Sequence, residues 1–434
     1  MHGGIRGVDV TVHKPRGWRL SLAAAGGGCS AAAVTADELE ALGRLGGTAA
    51  AGLTSHVEHL HRTIADRSFG PTGPASRPVR VVHDRIAGTV YSAVRGSVRG
   101  AGAVAGVALR GAARPGGAPL GSTPGTNFAI AAVNAVAGHR LDAEASPLRI
   151  RTAVRKRGAD VPADPEALAR AFPAATPKLA VFLHGLGENE STWRLRSGAE
   201  GVTYGSRLAA DLGHTPVYLR YNTGRHVSDN GVDVSALLTD VVRSWPVPVD
   251  EVAIIGHSMG GLVARAACQR GEADGAPWVP LVRHVVYLGS PHAGAIAARS
   301  ARYLGWALAK VPETRPYASL LDHSPGIRDL RYGYVAEDDW RDCDAGTCLE
   351  DHGSDVPLLA SATHHVVSGT LVGDGRTRMG RAVGDLLVQA DSAHGRHRHR
   401  QPVGFADGVN RPGLHHFDLL NHPDVYEVVR DWLA

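Results

Sequence analysis

The segment Glu251–Arg265, EVAIIGHSMGGLVAR, constrains this chain more than any other. Val252, Ala253, Ile254 and Ile255 form an apolar run that leads into Gly256-His257-Ser258-Met259-Gly260. Leu262, Val263 and Ala266 follow at helical spacing. The order is strand, sharp turn, helix, the context in which G-x-S-x-G lifts a serine hydroxyl above a strand end. Glycine is needed at both flanks, because a side chain at 256 or 260 would meet neighbouring backbone while Ser258 takes a strained conformation. In a chain with 54 glycines the five letters alone carry little, and the strand and helix around them give the pattern its weight.

At 434 residues with 44% apolar content, the chain has ample material for a large core. The net charge is +4, and lysine occurs only at Lys14, Lys156, Lys178 and Lys310, so arginine supplies nearly all the positive charge. Those arginines are dispersed, with no aromatic-interleaved basic stripe, which argues against nucleic acid as a partner. Four cysteines at unrelated spacings make no disulfide framework; Cys343 and Cys348 read as an ordinary pair of thiols. No apolar signal core opens the sequence. The longest membrane candidate, Gly100–Leu109, is ten residues long, short of the ~20 that a spanning helix needs. A soluble cytoplasmic protein is expected.

Along the chain, residues 1–22 alternate in the manner of a short hairpin. Thr35-Ala36-Asp37-Glu38 is a capping box, predicted to open a helix that stops near Gly46-Gly47. Leu53, Val57, Leu60 and Ile64 predict a second helix, and Val82, Ile86, Val90 and Val94 a third. Gly102 and Gly106 would permit close helix packing, but in so glycine-rich a chain the spacing reads as coincidence. His56, His59, His61 and His83 lie on these helices as surface or half-buried residues. Residues 1–125 therefore read as a mainly helical accessory region, ending in the Gly/Pro-rich linker 111–126, and residues 126–434 as the catalytic domain.

From about 145, strands and helices alternate. Leu148, Ile150 and Val154 predict a half-buried strand. Asp164-Pro165 starts a helix that ends before Pro173. Strands are predicted at 178–183, 216–221, 283–288 and 364–371, with helices at 204–212, along Val234–Trp245, and after Asn421-His422-Pro423. This pattern predicts an α/β fold, a mostly parallel sheet with helices on both faces. Residues 295–360 are long enough for a cap in which Trp306, Leu308, Leu320 and Leu321 face an acyl chain or form cap core.

Several loops carry groups that complete a site. His184-Gly185-Leu186-Gly187 follows the 178–183 strand, and its glycines let backbone amides converge in front of the sheet. Leu186 and Met259 are the expected oxyanion donors. Gly289-Ser290-Pro291-His292-Ala293-Gly294 reads as a pocket wall, and Gly185, His257, Pro291 and His292 are expected to contact substrate. Asp385 is the expected acid, ahead of Asp391 and Asp374. Of His415 and His416, only one can face the serine, and His416 is preferred as base. The order Ser258, Asp385, His416 is that of a hydrolase triad on a doubly covered sheet. The run His394-Gly395-Arg396-His397-Arg398-His399-Arg400 reads as a solvated loop in preference to a metal, nucleic-acid or lipid site.

The stretches VFLHGLGE, IIGHSMGGLVAR, YLGSPHAG, GDLLVQADSA and HHFDLLNHPDVY together resemble bacterial esterases and lipases of the α/β-hydrolase superfamily. They look closest to the branch grouped with triacylglycerol lipases and GPI inositol-deacylase-like proteins. The resemblance covers about residues 145–434. It implies an α/β-hydrolase fold and carboxylic-ester hydrolysis through an acyl-enzyme, with no metal and no organic cofactor. The implied partner is a small-molecule ester or a lipid. A thioesterase, amidase or acyltransferase would use the same triad, and a non-catalytic scaffold is the reading from another class. Peripheral membrane contact, and oligomerisation through the N-terminal helices, stay open at this level.

Overall fold

A computed structural model describes residues 35–69, 77–111, 124–295, 324–342, 351–371, 384–397 and 400–434. Among them stands an eight-stranded sheet: β1 (Ala153–Lys156), β2 (Ala159–Val161), β3 (Lys178–Leu183), β4 (Thr215–Arg220), β5 (Glu251–His257), β6 (Val282–Leu288), β7 (Thr363–Thr370) and β8 (Asp407–Pro412). The strand order is β2-β1-β4-β3-β5-β6-β7-β8. Strands β3 to β8 run parallel, and the β1–β2 hairpin lies antiparallel at the β4 edge. The helices are α1 (Ala36–Phe69), α2 (Arg77–Gly111), α3 (Pro124–Ala143), α4 (Pro165–Ala171), α5 (Tyr204–Leu212), α6 (Val227–Ser244), α7 (Met259–Ala273), α8 (Pro325–Tyr332), α9 (Ala390–Ala393) and α10 (Pro423–Leu433).

Successive side chains of a strand point to opposite faces, and in this sheet both faces are covered. Leu179, Val181, Leu183, Val217, Leu219, Ile254 and Val285 share one layer with Leu238 and Val241 of α6 and Leu262 and Val263 of α7. Ala180, Phe182, Ile255, Val286 and Val367 form the other layer, with Leu208 of α5, Trp193, and Val425, Tyr426 and Val429 of α10. Burying a side chain of this size contributes about 1.5–3 kcal/mol over leaving it exposed. The unbroken apolar runs in β3 and β5 are thus the reason these strands sit at the centre. Asp164 caps α4, its Oδ1 accepting from the Ala167 amide at 2.8 Å.

The structure departs from the sequence reading at several points. The helix opened by the Thr35–Glu38 box does not stop at Gly46-Gly47 but continues to Phe69. These residues are helical because α1 and α2 form an antiparallel hairpin that meets at glycines. Gly43 lies on Gly106 and Gly47 on Gly102, where a Cβ on Gly102 would stand 2.5 Å from Gly47 Cα. The spacing of Gly102 and Gly106 is therefore a packing device and no coincidence. The close backbone approach offsets the ~1 kcal/mol that each helical glycine costs against alanine.

Leu148 and Ile150 are buried but precede the strand, which begins at Ala153. The Asn134 side chain of α3 holds them instead, donating to the Leu148 carbonyl at 2.9 Å and accepting from the Ile150 amide at 3.0 Å. Helix α3 itself starts at Pro124, inside the expected linker. The predicted hairpin at 1–22, Cys343, Cys348, Asp374, and Trp306, Leu308, Leu320 and Leu321 of the expected cap lie outside the described residues. Among the described residues, no helix is long and apolar enough to cross a membrane.

Candidate active site

The turn between β5 and α7 carries Ser258 at φ 53°, ψ −123°, a strained conformation for a residue with a side chain. Its amide donates to the Leu288 carbonyl of β6 at 2.8 Å, which ties the turn to the neighbouring strand. A Cβ at Gly256 would stand 2.6 Å from the Gly260 carbonyl carbon, and one at Gly260 would run into the Leu183 carbonyl oxygen. The two glycines are therefore steric requirements of the turn. His257 and Met259 are fully buried on either side, while Ser258 keeps partial exposure.

The loop after β3 lies against this serine, since a Cβ on Gly185 would be 3.0 Å from Ser258 Cβ. Two of its amides are occupied. Gly185 donates to Glu188 Oε2 at 2.8 Å, and Gly187 donates to Thr223 Oγ1 at 3.2 Å. The amides of Leu186 and Met259 have no hydrogen-bond partner among the described residues. Behind the loop, His184 stacks on Tyr221 at 4.3 Å, and burial pushes its pKa down.

His416 and Asp385 come together from separate loops. His416 Nδ1 stands 2.7 Å from Asp385 Oδ2, with both side chains almost wholly buried. The other carboxylate oxygen, Oδ1, accepts from the amides of Leu387 at 3.0 Å and Val388 at 2.8 Å. Leu386 takes φ 83° to wrap the loop around that oxygen. The His416 ring lies beside Gly289, where a Cβ would stand 3.2 Å from it, and its centroid is 4.7 Å from that of His257. No hydrogen bond joins Ser258 Oγ to His416 in this geometry. His415 faces outward, with Nε2 at 2.8 Å from an Arg196 guanidinium nitrogen and 3.3 Å from Asp418 Oδ2. Asp391 pairs at the surface with Arg396 at 2.9 Å.

The four residues expected to contact substrate are all buried. Gly185 lies with its backbone against Ser258, but the rings of His257 and His292 are interior. His292 is fully enclosed, edge-on to Tyr287 at 4.7 Å and 4.9 Å from Phe405. Burial holds its pKa well below the usual histidine value, so it is neutral. His257 has both ring nitrogens turned to protein partners, Glu188 and the His416 carbonyl. Neither ring has surface to offer a substrate. Glu188, which no sequence motif singles out, is the group on which the loop and the elbow both rest; its only signal in the chain is its position one residue after the H-G-L-G turn.

The His-rich run, as far as it is described, is a loop that is only partly solvated, with Arg396 exposed and His394, His397 and Arg400 half-buried against the fold. His394 Nε2 lies 3.0 Å from Ser368 Oγ, and Arg400 sits 3.3 Å from Asp351 while donating to the Tyr332 carbonyl at 2.5 Å. Burial brings His397 down to about 4. Together with Arg265, His397 and Arg400 line a cleft of about 280 Å³ that includes none of the residues around Ser258. No group of three metal-ligating side chains occurs among the described residues. Cys268 is free and buried, its thiol pushed up to about 12 by burial.

Residues 223–306, which take in the elbow and the wall loop, match the PGAP1-like alpha/beta domain family. No curated protein matches the chain. Similar solved structures include lipase BlEst2 from Bacillus licheniformis, at 20% identity over 59% of this chain and 92% of that one, TM-score 0.41. A lipase-esterase related protein from Clostridium acetobutylicum is 15% identical over 59% and 95%, TM-score 0.34. Naproxen esterase from Bacillus subtilis is 14% identical over 60% and 84%, TM-score 0.33. The parallel sheet order and the strained serine between β5 and α7 give this chain an α/β-hydrolase-like fold, and the family match spans that turn.

Proposed function

We propose that the chain is a serine hydrolase that cleaves carboxylic esters through an acyl-enzyme. The observation that carries this reading is the 2.7 Å contact between His416 Nδ1 and Asp385 Oδ2, beside the strained Ser258. Asp385 fixes the imidazole with Nε2 left for the nucleophile. His416 takes the Ser258 proton as Oγ attacks the ester carbonyl, and the amides of Leu186 and Met259 donate to the oxyanion. His416 then protonates the leaving alcohol, and water repeats the sequence to release the acid. The missing Oγ–Nε2 hydrogen bond is of the kind that tightens only when substrate is bound. The α1–α2 hairpin carries none of these groups and is assigned an accessory role.

The test is hydrolysis of a short p-nitrophenyl ester together with labelling by a fluorophosphonate probe. Wild type is expected to turn over the ester and to be labelled at Ser258. Ser258→Ala is expected to lose both while melting within a few degrees of wild type. Absence of labelling in the folded wild type would discard the reading in favour of a non-catalytic scaffold.

A further inference from the structure

The loop after β3, the elbow and the loop of the base meet at one buried pair of side chains. Glu188 Oε2 accepts from the Gly185 amide at 2.8 Å and lies 3.1 Å from His257 Nδ1. His257 Nε2 faces the backbone carbonyl of His416 at 3.3 Å. The His416 amide in turn donates to the Asp385 carbonyl at 3.1 Å. A chain of hydrogen bonds thus runs from the loop that presents the Leu186 amide, through the residue before Ser258, to the backbone of His416 and Asp385.

The protons of this chain can be counted. A carbonyl oxygen only accepts, so His257 Nε2 must carry a hydrogen. One further proton lies between Nδ1 and the carboxylate. Burial alone would lower the His257 pKa, but the charge and hydrogen bond of Glu188, with smaller help from the His416 carbonyl and Asp385, raise it. Burial alone would raise Glu188, and the charge of His257 with its hydrogen bond and the Gly185 amide bring it below the ordinary value. Both shifts favour the proton on His257. The groups that face the pair are His416 and Asp385 from the base and acid loops, neutral His184 from the β3 loop, Tyr221 after β4, and the rings of Trp193 and Phe417.

We propose that Glu188 and His257 are positioning residues, a buried carboxylate–imidazolium pair that fixes the Gly185–Leu186 turn and the His416 backbone relative to Ser258. The inference rests on the assignment of Ser258, Asp385 and His416 given above. Neither side chain touches the reacting atoms. Losing the shared proton leaves a buried, uncompensated negative charge beneath the site and removes one of the two donors of His257. Activity therefore falls on the alkaline side as that proton leaves.

The test combines one measurement on wild type with two variants. Nitrogen-15 shifts of the histidine rings at neutral pH are expected to show both nitrogens of His257 protonated, and a neutral ring overturns the proposal without any mutation. Glu188→Gln and His257→Phe are then compared with wild type in pH profiles of p-nitrophenyl ester hydrolysis. Both are expected to lower kcat on the order of 10- to 100-fold, the cost of a small misplacement, with KM little changed. Both are expected to lack the alkaline limb, which a merely structural role would leave in place. Wild-type kcat and an intact alkaline limb in a folded variant overturn the pair. Failure of the wild type to react with the fluorophosphonate overturns the underlying hydrolase assignment instead.

Discussion

His416 and Asp385 are bonded twice, Nδ1 to Oδ2 at 2.7 Å through the side chains and amide to carbonyl at 3.1 Å through the backbone. The double contact fixes both the orientation of the ring and the height of its loop above the sheet. A carboxylate at Nδ1 also selects the tautomer whose Nε2 can accept a proton.

Asp385→Asn should therefore lower kcat on p-nitrophenyl esters by about 10⁴-fold, because an amide there favours the wrong tautomer. The backbone contact and the two loop amides survive in this variant, so thermal stability should change little. Steady-state kinetics beside a melting curve check both parts. A loss below about tenfold would show that another group orients the ring.

The adjacent histidines separate cleanly. His416→Ala should abolish turnover and fluorophosphonate labelling. His415→Ala should keep kcat within about threefold, since His415 lies outward and an exposed pair such as that with Arg196 is worth only ~0.2–1 kcal/mol. The reverse pattern would exchange the two assignments.

The glycine seam of the hairpin makes a stability prediction. Gly102→Leu places a branched side chain where even a Cβ stands 2.5 Å from Gly47 Cα. The hairpin should lose about 1–3 kcal/mol or more from overpacking. Hydrogen exchange of the α1 and α2 amides, faster than in wild type while the sheet amides are unchanged, is the expected result. Uniform protection would show that the two helices do not meet at this seam.

Acid should destabilise the protein through its buried neutral histidines. His364 bridges Tyr287 Oη at 2.8 Å and the Leu359 carbonyl at 3.0 Å, and burial lowers its pKa to about 4. The unfolded chain takes up that proton near the ordinary value of 6.5, the folded chain only near 4. The unfolded state thus binds more protons between these values, and stability falls as pH drops across that window. Urea midpoints measured from about pH 7 to about pH 4 should decline, with a shallower slope in His364→Gln. An unchanged slope in that variant would place the acid sensitivity elsewhere.

How much of this is legible in the chain depends on the range of the interaction involved. The strands at 178–183 and 282–288, helix 204–212 and the cap at Asp164 follow from local rules, namely apolar runs, helical spacing and a side chain reaching three residues on. The elbow belongs with them in part: Gly256 is demanded by the Gly260–Gly261 backbone a few residues on, whereas Gly260 is demanded by the Leu183 carbonyl of the neighbouring strand. Local rules fail at Gly46-Gly47, where glycine's weak helix propensity is overridden by a partner helix packed against it. They fail again at Leu148 and Ile150, which resemble a strand but are held by Asn134 of another element.

The amino-acid order by itself determined that a serine would be raised between a buried strand and a helix, with an aspartate and a pair of histidines following it as candidates for acid and base. Steric necessity at Gly256 and Gly260 and the apolar runs suffice for that. Only the tertiary structure decided that His416, and not its neighbour, turns inward to Asp385, and that Glu188 reaches His257 across 69 residues of chain. Which of two like side chains finds a partner depends on where distant loops are brought by the packing of both sheet faces, and no spacing along the chain records that.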